Sequence, residues 1–193
     1  ILLDIANKVG GIAIGTGDLS ESAMGWCTYN GDHISMYSVN CSVPKTLIRY
    51  VIGWVGDNST AQVRAILQDI IDTPVSPELL PAAQDGTIQQ KTEDIIGPYE
   101  IHDFFLYHFL KYGAAPEKLR FLAEHAFAGT YTAVQIETWL KTFLRRFFTQ
   151  QFKRSCMPDG PKVGTISLSP RGDWRMPSDA SSAVWFSNLN GTL

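Results

Sequence analysis

The stretch Ile12-Ala13-Ile14-Gly15-Thr16-Gly17-Asp18-Leu19-Ser20-Glu21 decides the fold. Its first three residues are apolar without alternation, which suits a short strand buried on both faces, as in a parallel sheet covered by helices. Gly15-Thr16-Gly17 ends that strand, and Asp18 followed three residues later by Glu21 has the spacing of a capping box. A helix is therefore expected from Leu19 through Trp26. Upstream, Leu2, Ile5, Ala6 and Val9 recur at helical spacing until Gly10-Gly11 stops them. The unit reads helix, strand, glycine turn, helix, and the fold class is α/β.

Downstream, residues 28 to 44 carry Asn, Gly, Asp, Ser and Pro without a period and read as a long loop. Pro44 is placed to open a helix whose stripe is Leu47, Tyr50, Val51 and Trp54 before Gly56. A further helix from Ala61, with Val63, Ile66, Leu67, Ile70 and Ile71 expected inward, ends at Pro74. Residues 74 to 98 hold four of the ten prolines and no periodicity, so a second long mobile loop is expected there. The rest is helical. Ile101, Phe105, His108, Phe109 and Tyr112 share a face; Leu119, Leu122, Ala126 and Phe127 follow Pro116. Ile136, Trp139, Leu140, Phe143, Leu144 and Phe147 mark the longest amphipathic helix. A proline- and glycine-rich connector spans Met157 to Pro177, with a short helix expected from Ser178.

The chain has 193 residues, of which 45 % are apolar and 18 % charged, which fits one folded domain and excludes global disorder. A formal charge of −3 is too small to steer the whole chain to nucleic acid or anionic lipid. Three cysteines at irregular spacing fit a reducing cytosol better than a disulfide framework. No apolar run approaches a membrane span, so a soluble, cytoplasmic protein is expected.

Eight of the sixteen cations lie between Lys141 and Arg175, whereas nine acids fall between Asp57 and Asp103. Lys141, Arg145 and Arg146 fit a solvated helix face as well as a phosphate site. Lys153, Arg154, Lys162, Arg171 and Arg175 sit on expected irregular backbone and make a better anion-site candidate. Lys45 at a helix start is unfavourable against the positive end of the helix dipole, a conflict that a nearby phosphate would remove and solvent would tolerate. Glu21 fits either its capping bond or a ligand. The four histidines show no zinc spacing and no serine lies in a nucleophile elbow, against hydrolase readings. Cys27 reads as a structural thiol.

The run from Gly15 to Glu21, with Gly25-Trp26-Cys27-Thr28-Tyr29, Asn30-Gly31-Asp32 and Val43-Pro44-Lys45-Thr46, resembles the synthetase domain of NAD synthetases. Gln151-Phe152-Lys153-Arg154-Ser155 and Ser169-Pro170-Arg171-Gly172-Asp173-Trp174-Arg175 look like the long, glutamine-dependent branch. The resemblance implies a Rossmann-like, helix-rich, adenine nucleotide α-hydrolase-like fold, with residues 1–193 as the C-terminal part of the synthetase domain. It implies ATP-dependent amidation of deamido-NAD through an adenylate, with ATP and Mg2+ and with ammonia from a glutaminase domain of the same parent chain. It further implies a homo-oligomer.

By the same resemblance Thr16, Lys45 and Ser76 contact ATP; Glu21, Trp26, Cys27, Thr28, Tyr29 and Lys153 hold deamido-NAD. Glu21 corresponds to a magnesium ligand in short members of the family and to a dinucleotide contact in long ones, and Asp173 falls on the ammonia side. Tyr29 and Met36 stand where short members have Lys and Asp. The family's Ser-Gly-Gly-x-Asp-Ser pyrophosphate loop is expected before Ile1, so these 193 residues alone are expected to be inactive. The competing reading is a non-catalytic nucleotide-binding or oligomerisation module of the same fold.

Overall fold

The computed structural model describes residues 1–31, 33–75 and 92–189. Among them the chain runs α1 (Leu2–Val9), β1 (Ile14–Gly15), α2 (Leu19–Met24), β2 (Tyr37–Ser38), α3 (Lys45–Asp57) and α4 (Ala61–Asp72). It continues α5 (Thr92–Ile96), α6 (Tyr99–Tyr112), α7 (Pro116–Ala126), α8 (Ala133–Thr149), α9 (Gln151–Arg154) and α10 (Ala183–Leu189). The two strands pair in parallel, Ile14 opposite Tyr37 and Gly15 opposite Ser38, and Asp159 bridges the far side of β2. Gly15 is required by this pairing, because a Cβ there would lie 2.3 Å from the Ser35 hydroxyl.

The core lies where α6 and α8 pack against each other and against α2, with α7 covering α6 and α8. Phe105, Phe109, Phe143 and Phe147 are buried together, and Trp174 and Trp185 close over them at ring separations of 5.1–5.8 Å from Phe109 and Phe147. Each such side chain contributes about 1.5–3 kcal/mol by leaving water. The 3.6-residue periods placed Ile101, Phe105, Phe109, Leu119 and most of the α8 stripe correctly, whereas Tyr112 and Ala126, expected on the same faces, are exposed; the capping box of α8 is present at Thr132 and Gln135.

Elsewhere the structure corrects the sequence. The expected doubly buried strand is not found: Ala13 is buried, but Ile12 is 64 % and Ile14 46 % exposed, since among the described residues only β2 lies beside them. The expected loop 28–44 contains β2. Leu47, Tyr50, Val51 and Trp54 on α3, and Val63, Ile66 and Ile70 on α4, are exposed. The two helices pack on each other through Gly56, so periodicity identified the helices but not a covered face. Part of the expected second loop is α5, and the last helix begins at Ala183 rather than near Ser178. No helix among the described residues is long and apolar enough to cross a membrane.

Candidate functional site

At the β1–α2 corner the Asp18 carboxylate accepts the Glu21 N–H at 2.9 Å, and Glu21 Oε2 accepts the Asp18 N–H at 3.1 Å. The capping box is thus present as its spacing predicted. Thr16 is exposed beside it. Lys45, the first residue of α3, points its ammonium back to the same corner, 2.6 Å from Asp18 Oδ2 and 2.9 Å from Glu21 Oε1. The cation at a helix start is therefore compensated by carboxylates, and no phosphate is needed to explain it.

The free N–H groups of α3 are met by tertiary partners, because Pro44 offers no side-chain cap. Lys45 N–H donates to Ser20 Oγ at 2.8 Å, and both the N–H and the hydroxyl of Thr46 donate to Asp103 Oδ2, at 3.1 and 2.7 Å. Ser20 donates in turn to the other Asp103 oxygen. Asp103 comes from α6, so the core helix fixes the entry of α3 and with it the place of Lys45.

Burial raises the proton affinity of Asp18, Glu21 and Asp103 against the opposing pull of Lys45 or of hydrogen bonds. Burial opposes the charge on Lys45, yet Asp18 and Glu21 together raise its pKa above the ordinary lysine value. The ammonium is thus retained at neutral pH. Tyr99 lies buried beneath it, with the ammonium 5.2 Å from the ring centre, and its hydroxyl has no hydrogen-bond partner among the described residues. Burial and the three carboxylates push that phenol well above its usual range. Lys45 and Tyr99 also line a cavity of about 820 Å3 shared with Arg49, Trp54, Glu93 and Tyr131.

The second cluster forms where α2 ends. Gly25 takes φ 60°, and a Cβ there would lie 2.2 Å from Gln150 Cβ, so the turn admits only glycine. Helix α2 has no basic residue of its own in its last turn. Three cations from α8 and α9 serve its carbonyls instead. Arg154 donates to Ser22 O at 3.1 Å and Ala23 O at 2.9 Å, and also to Phe147 O near the end of α8. Arg146 donates to Met24 O at 2.8 Å with its guanidinium 4.6 Å from the Trp26 ring centre. Lys153 donates to Gly25 O and Cys27 O, both at 2.7 Å. Trp26 is fixed further by its indole N–H on Thr92 Oγ1 at 3.0 Å, while Thr28 and Tyr29 are exposed.

The structure therefore brings Thr16, Glu21 and Lys45 together in one group, and Trp26, Cys27, Thr28, Tyr29 and Lys153 in a second at the other end of α2. Ser76 lies outside the described residues. Of the five cations expected to form an anion site within 153–175, Lys153 and Arg154 lie on α9 rather than on irregular backbone, and all five have internal partners among the described residues. Lys162 pairs with Asp173 at 2.7 Å, Arg171 pairs with Asp159, and Arg175 donates to Arg171 O. Asp173 is thus placed by Lys162. Sequence reasoning missed Asp103, Ser20 and Tyr99; a lone acid within the apolar run of α6 was the one signal available.

Glu21, the position at which the resemblance implies Mg2+, lies in contact with Lys45 and the Asp18 backbone. Both Glu21 oxygens are engaged, by Lys45 and by the Asp18 N–H, and among the described residues no group of three carboxylate, histidine or cysteine side chains could hold an ion.

A parallel strand pair, a glycine turn and a capped helix with a lysine aimed at its start form an α/β corner of the kind at which open parallel sheets bind ligands, beyond the carboxyl ends of their strands. No family model matches the chain. A glutamine-dependent NAD(+) synthetase of Mycobacterium bovis is 43 % identical over 210 aligned positions, covering 98 % of this chain and 31 % of the relative. That of Mycobacterium leprae is 42 % identical over 209, covering 97 % and 31 %. The crystal structure of a glutamine-dependent NAD(+) synthetase from Cytophaga hutchinsonii superposes with a TM-score of 0.71 at 20 % identity, over 97 % of this chain and 28 % of that one, and so shares the fold. The chain belongs to the glutamine-dependent NAD(+) synthetase family, and spans 31 % of the length of these curated relatives.

Proposed function

We propose that this chain forms part of an ATP-dependent carbon–nitrogen ligase that amidates deamido-NAD to NAD. The observation that carries the reading is the 43 % identity across 98 % of the chain, which includes the whole Asp18–Glu21–Lys45 corner. In the proposed reaction a nicotinate carboxylate oxygen attacks the α-phosphorus of ATP and pyrophosphate leaves. Ammonia, supplied by a glutaminase domain of the parent protein, then adds to the acyl carbon and AMP leaves.

Lys45, held protonated by Asp18 and Glu21, supplies positive charge to the triphosphate, with Thr16 and Ser76 as further ATP contacts. Binding ATP requires Lys45 to exchange part of its carboxylate contact for phosphate. Trp26, Cys27, Thr28 and Tyr29 form the deamido-NAD segment, Glu21 flanks it, and Lys153 acts by holding the carbonyls of Gly25 and Cys27. Asp173 is assigned to the ammonia side. The parallel strand pair with α2 between its strands supports a Rossmann-like, adenine nucleotide α-hydrolase-like arrangement. The exposed apolar residues of α3 and α4 support a homo-oligomer, and a cytoplasmic enzyme is consistent with these features.

Lys153→Ala in the complete protein tests the assignment. Losing its charged hydrogen bonds to the Gly25 and Cys27 carbonyls loosens the dinucleotide segment by about 1.5–3 kcal/mol, which sets an upper bound of roughly ten- to hundredfold on the loss of deamido-NAD affinity. ATP affinity changes less. Equal weakening of both ligands, or of neither, contradicts the reading.

A further inference from the structure

Cys156 follows α9, and His33 lies in the turn after Thr28, so the two are 123 residues apart in sequence. The fold places Cys156 Sγ 3.1 Å from His33 Nε2. On the other side of the ring, His33 Nδ1 lies 2.9 Å from Thr28 O. A carbonyl oxygen only accepts, so in the neutral ring Nδ1 carries the hydrogen and Nε2 presents its lone pair to sulfur. Nucleophile, base and orienting acceptor are in line, an arrangement that activates thiols.

Among the described residues the other hydrogen-bond partners of the sulfur are the carbonyls of Lys153 at 3.2 Å and Phe152 at 4.0 Å, which also accept only. The Tyr29 ring packs 5.6 Å from His33 and 5.4 Å from Phe152, holding the imidazole between two elements. Cys156 is exposed, so a reagent reaches it; Cys41, by contrast, is buried against Pro161.

We propose that Cys156 is a modification site for low-molecular-weight disulfides, with His33 as the base that takes the thiol proton. The Cys156 sulfur attacks one sulfur of the small disulfide, a protein–small-molecule S–S bond forms, and the original S–S bond breaks. The departing thiolate takes the proton from His33 and leaves as a thiol. One disulfide is consumed and one formed, so no other oxidant is needed. The adduct lies beside Tyr29 and is removed by excess thiol.

The test exposes the complete protein to oxidised glutathione at neutral pH, quenches with acid, and follows the tryptic peptide of residues 155–162 by mass spectrometry. A glutathione adduct on Cys156, reversed by dithiothreitol, is expected. His33→Gln keeps a polar group in the exposed turn but removes the base, and slows the adduct about tenfold. A parallel arm with iodoacetamide is expected to show the same ratio, because a base assists attack on either reagent. Rates in His33→Gln within twofold of the parent overturn the proposal. So does slowing with glutathione alone, which makes His33 a glutathione contact rather than a base.

Discussion

Arg154 is 1 % exposed and has no carboxylate partner among the described residues, so its charge is balanced by carbonyls at the C-terminal ends of two helices. Its guanidinium spans Ser22 and Ala23 of α2 and Phe147 of α8, is steadied by Gln151 Oε1 at 2.9 Å, and lies 4.4 Å from the Phe147 ring centre. Burial lowers its pKa to about 9, so it is charged in folded and unfolded states alike at pH 7. A comparison at that pH is free of linkage.

Arg154→Met keeps most of the volume and removes every donor, leaving three backbone carbonyls orphaned in the core. Each stranded group costs about 1–3 kcal/mol, so a loss of about 3 kcal/mol or more is expected. Arg154→Lys keeps the charge but presents donors from a single point, which cannot serve diverging carbonyls of two helices; about 2–3 kcal/mol is expected. Urea unfolding followed by circular dichroism measures both. A methionine variant within about 1 kcal/mol of the parent, inside the range of ordinary surface substitutions, refutes the view that Arg154 joins α2 to α8.

Two further outcomes follow from the buried groups. His102 is buried with Nε2 on Ile96 O at 2.7 Å, and burial lowers its pKa from 6.5 to about 4. Its folded value lies below its unfolded one, so stability present above pH 6.5 is lost as pH falls towards 4, by about 2 kcal/mol between pH 7 and pH 5. Asp18, Glu21 and Asp103, with raised values, act in the opposite direction over the carboxylate range. Unfolding of parent and His102→Phe at both pH values isolates the histidine, and equal pH dependence in the two contradicts it. Glu21→Gln retains the acceptor for the Asp18 N–H but loses the charge facing Lys45, so melting temperature changes by only about 2 °C or less. NAD-forming turnover of the complete protein falls sharply. Melting that drops while turnover per folded molecule persists assigns Glu21 to capping alone.

The helices and caps were legible because their signals are local. Asp18 and Glu21 are three residues apart, and five of the six apolar positions of α8 from Ile136 to Phe147 are buried, with Trp139 partly so. What the sequence hid is set by tertiary placement. Nothing near Lys45 announces that Asp103, 58 positions later, caps the same helix end, because capping residues normally precede the helix they serve. The cations of 146–154 misled for a related reason. Their charge is matched by the carbonyl end of α2, and a backbone partner leaves no trace in composition. The exposed stripes of α3 and α4 carry the same lesson: an apolar period says that a face prefers to leave water, and not what lies against it.

The Lys45 corner is proposed to serve adenylation. Its most direct measurement is simultaneous assay of AMP and NAD formed from deamido-NAD, ATP and ammonium by the complete protein, parent against Lys45→Met. Methionine keeps the length of the side chain, and Ser20 and Asp103 continue to cap α3 through backbone N–H groups. The account predicts one AMP per NAD in the parent, and in the variant a loss of about 100-fold or more in both products with folding retained, as expected for removing a preorganised charge from a transition state. A folded Lys45→Met protein that forms NAD within threefold of the parent contradicts it.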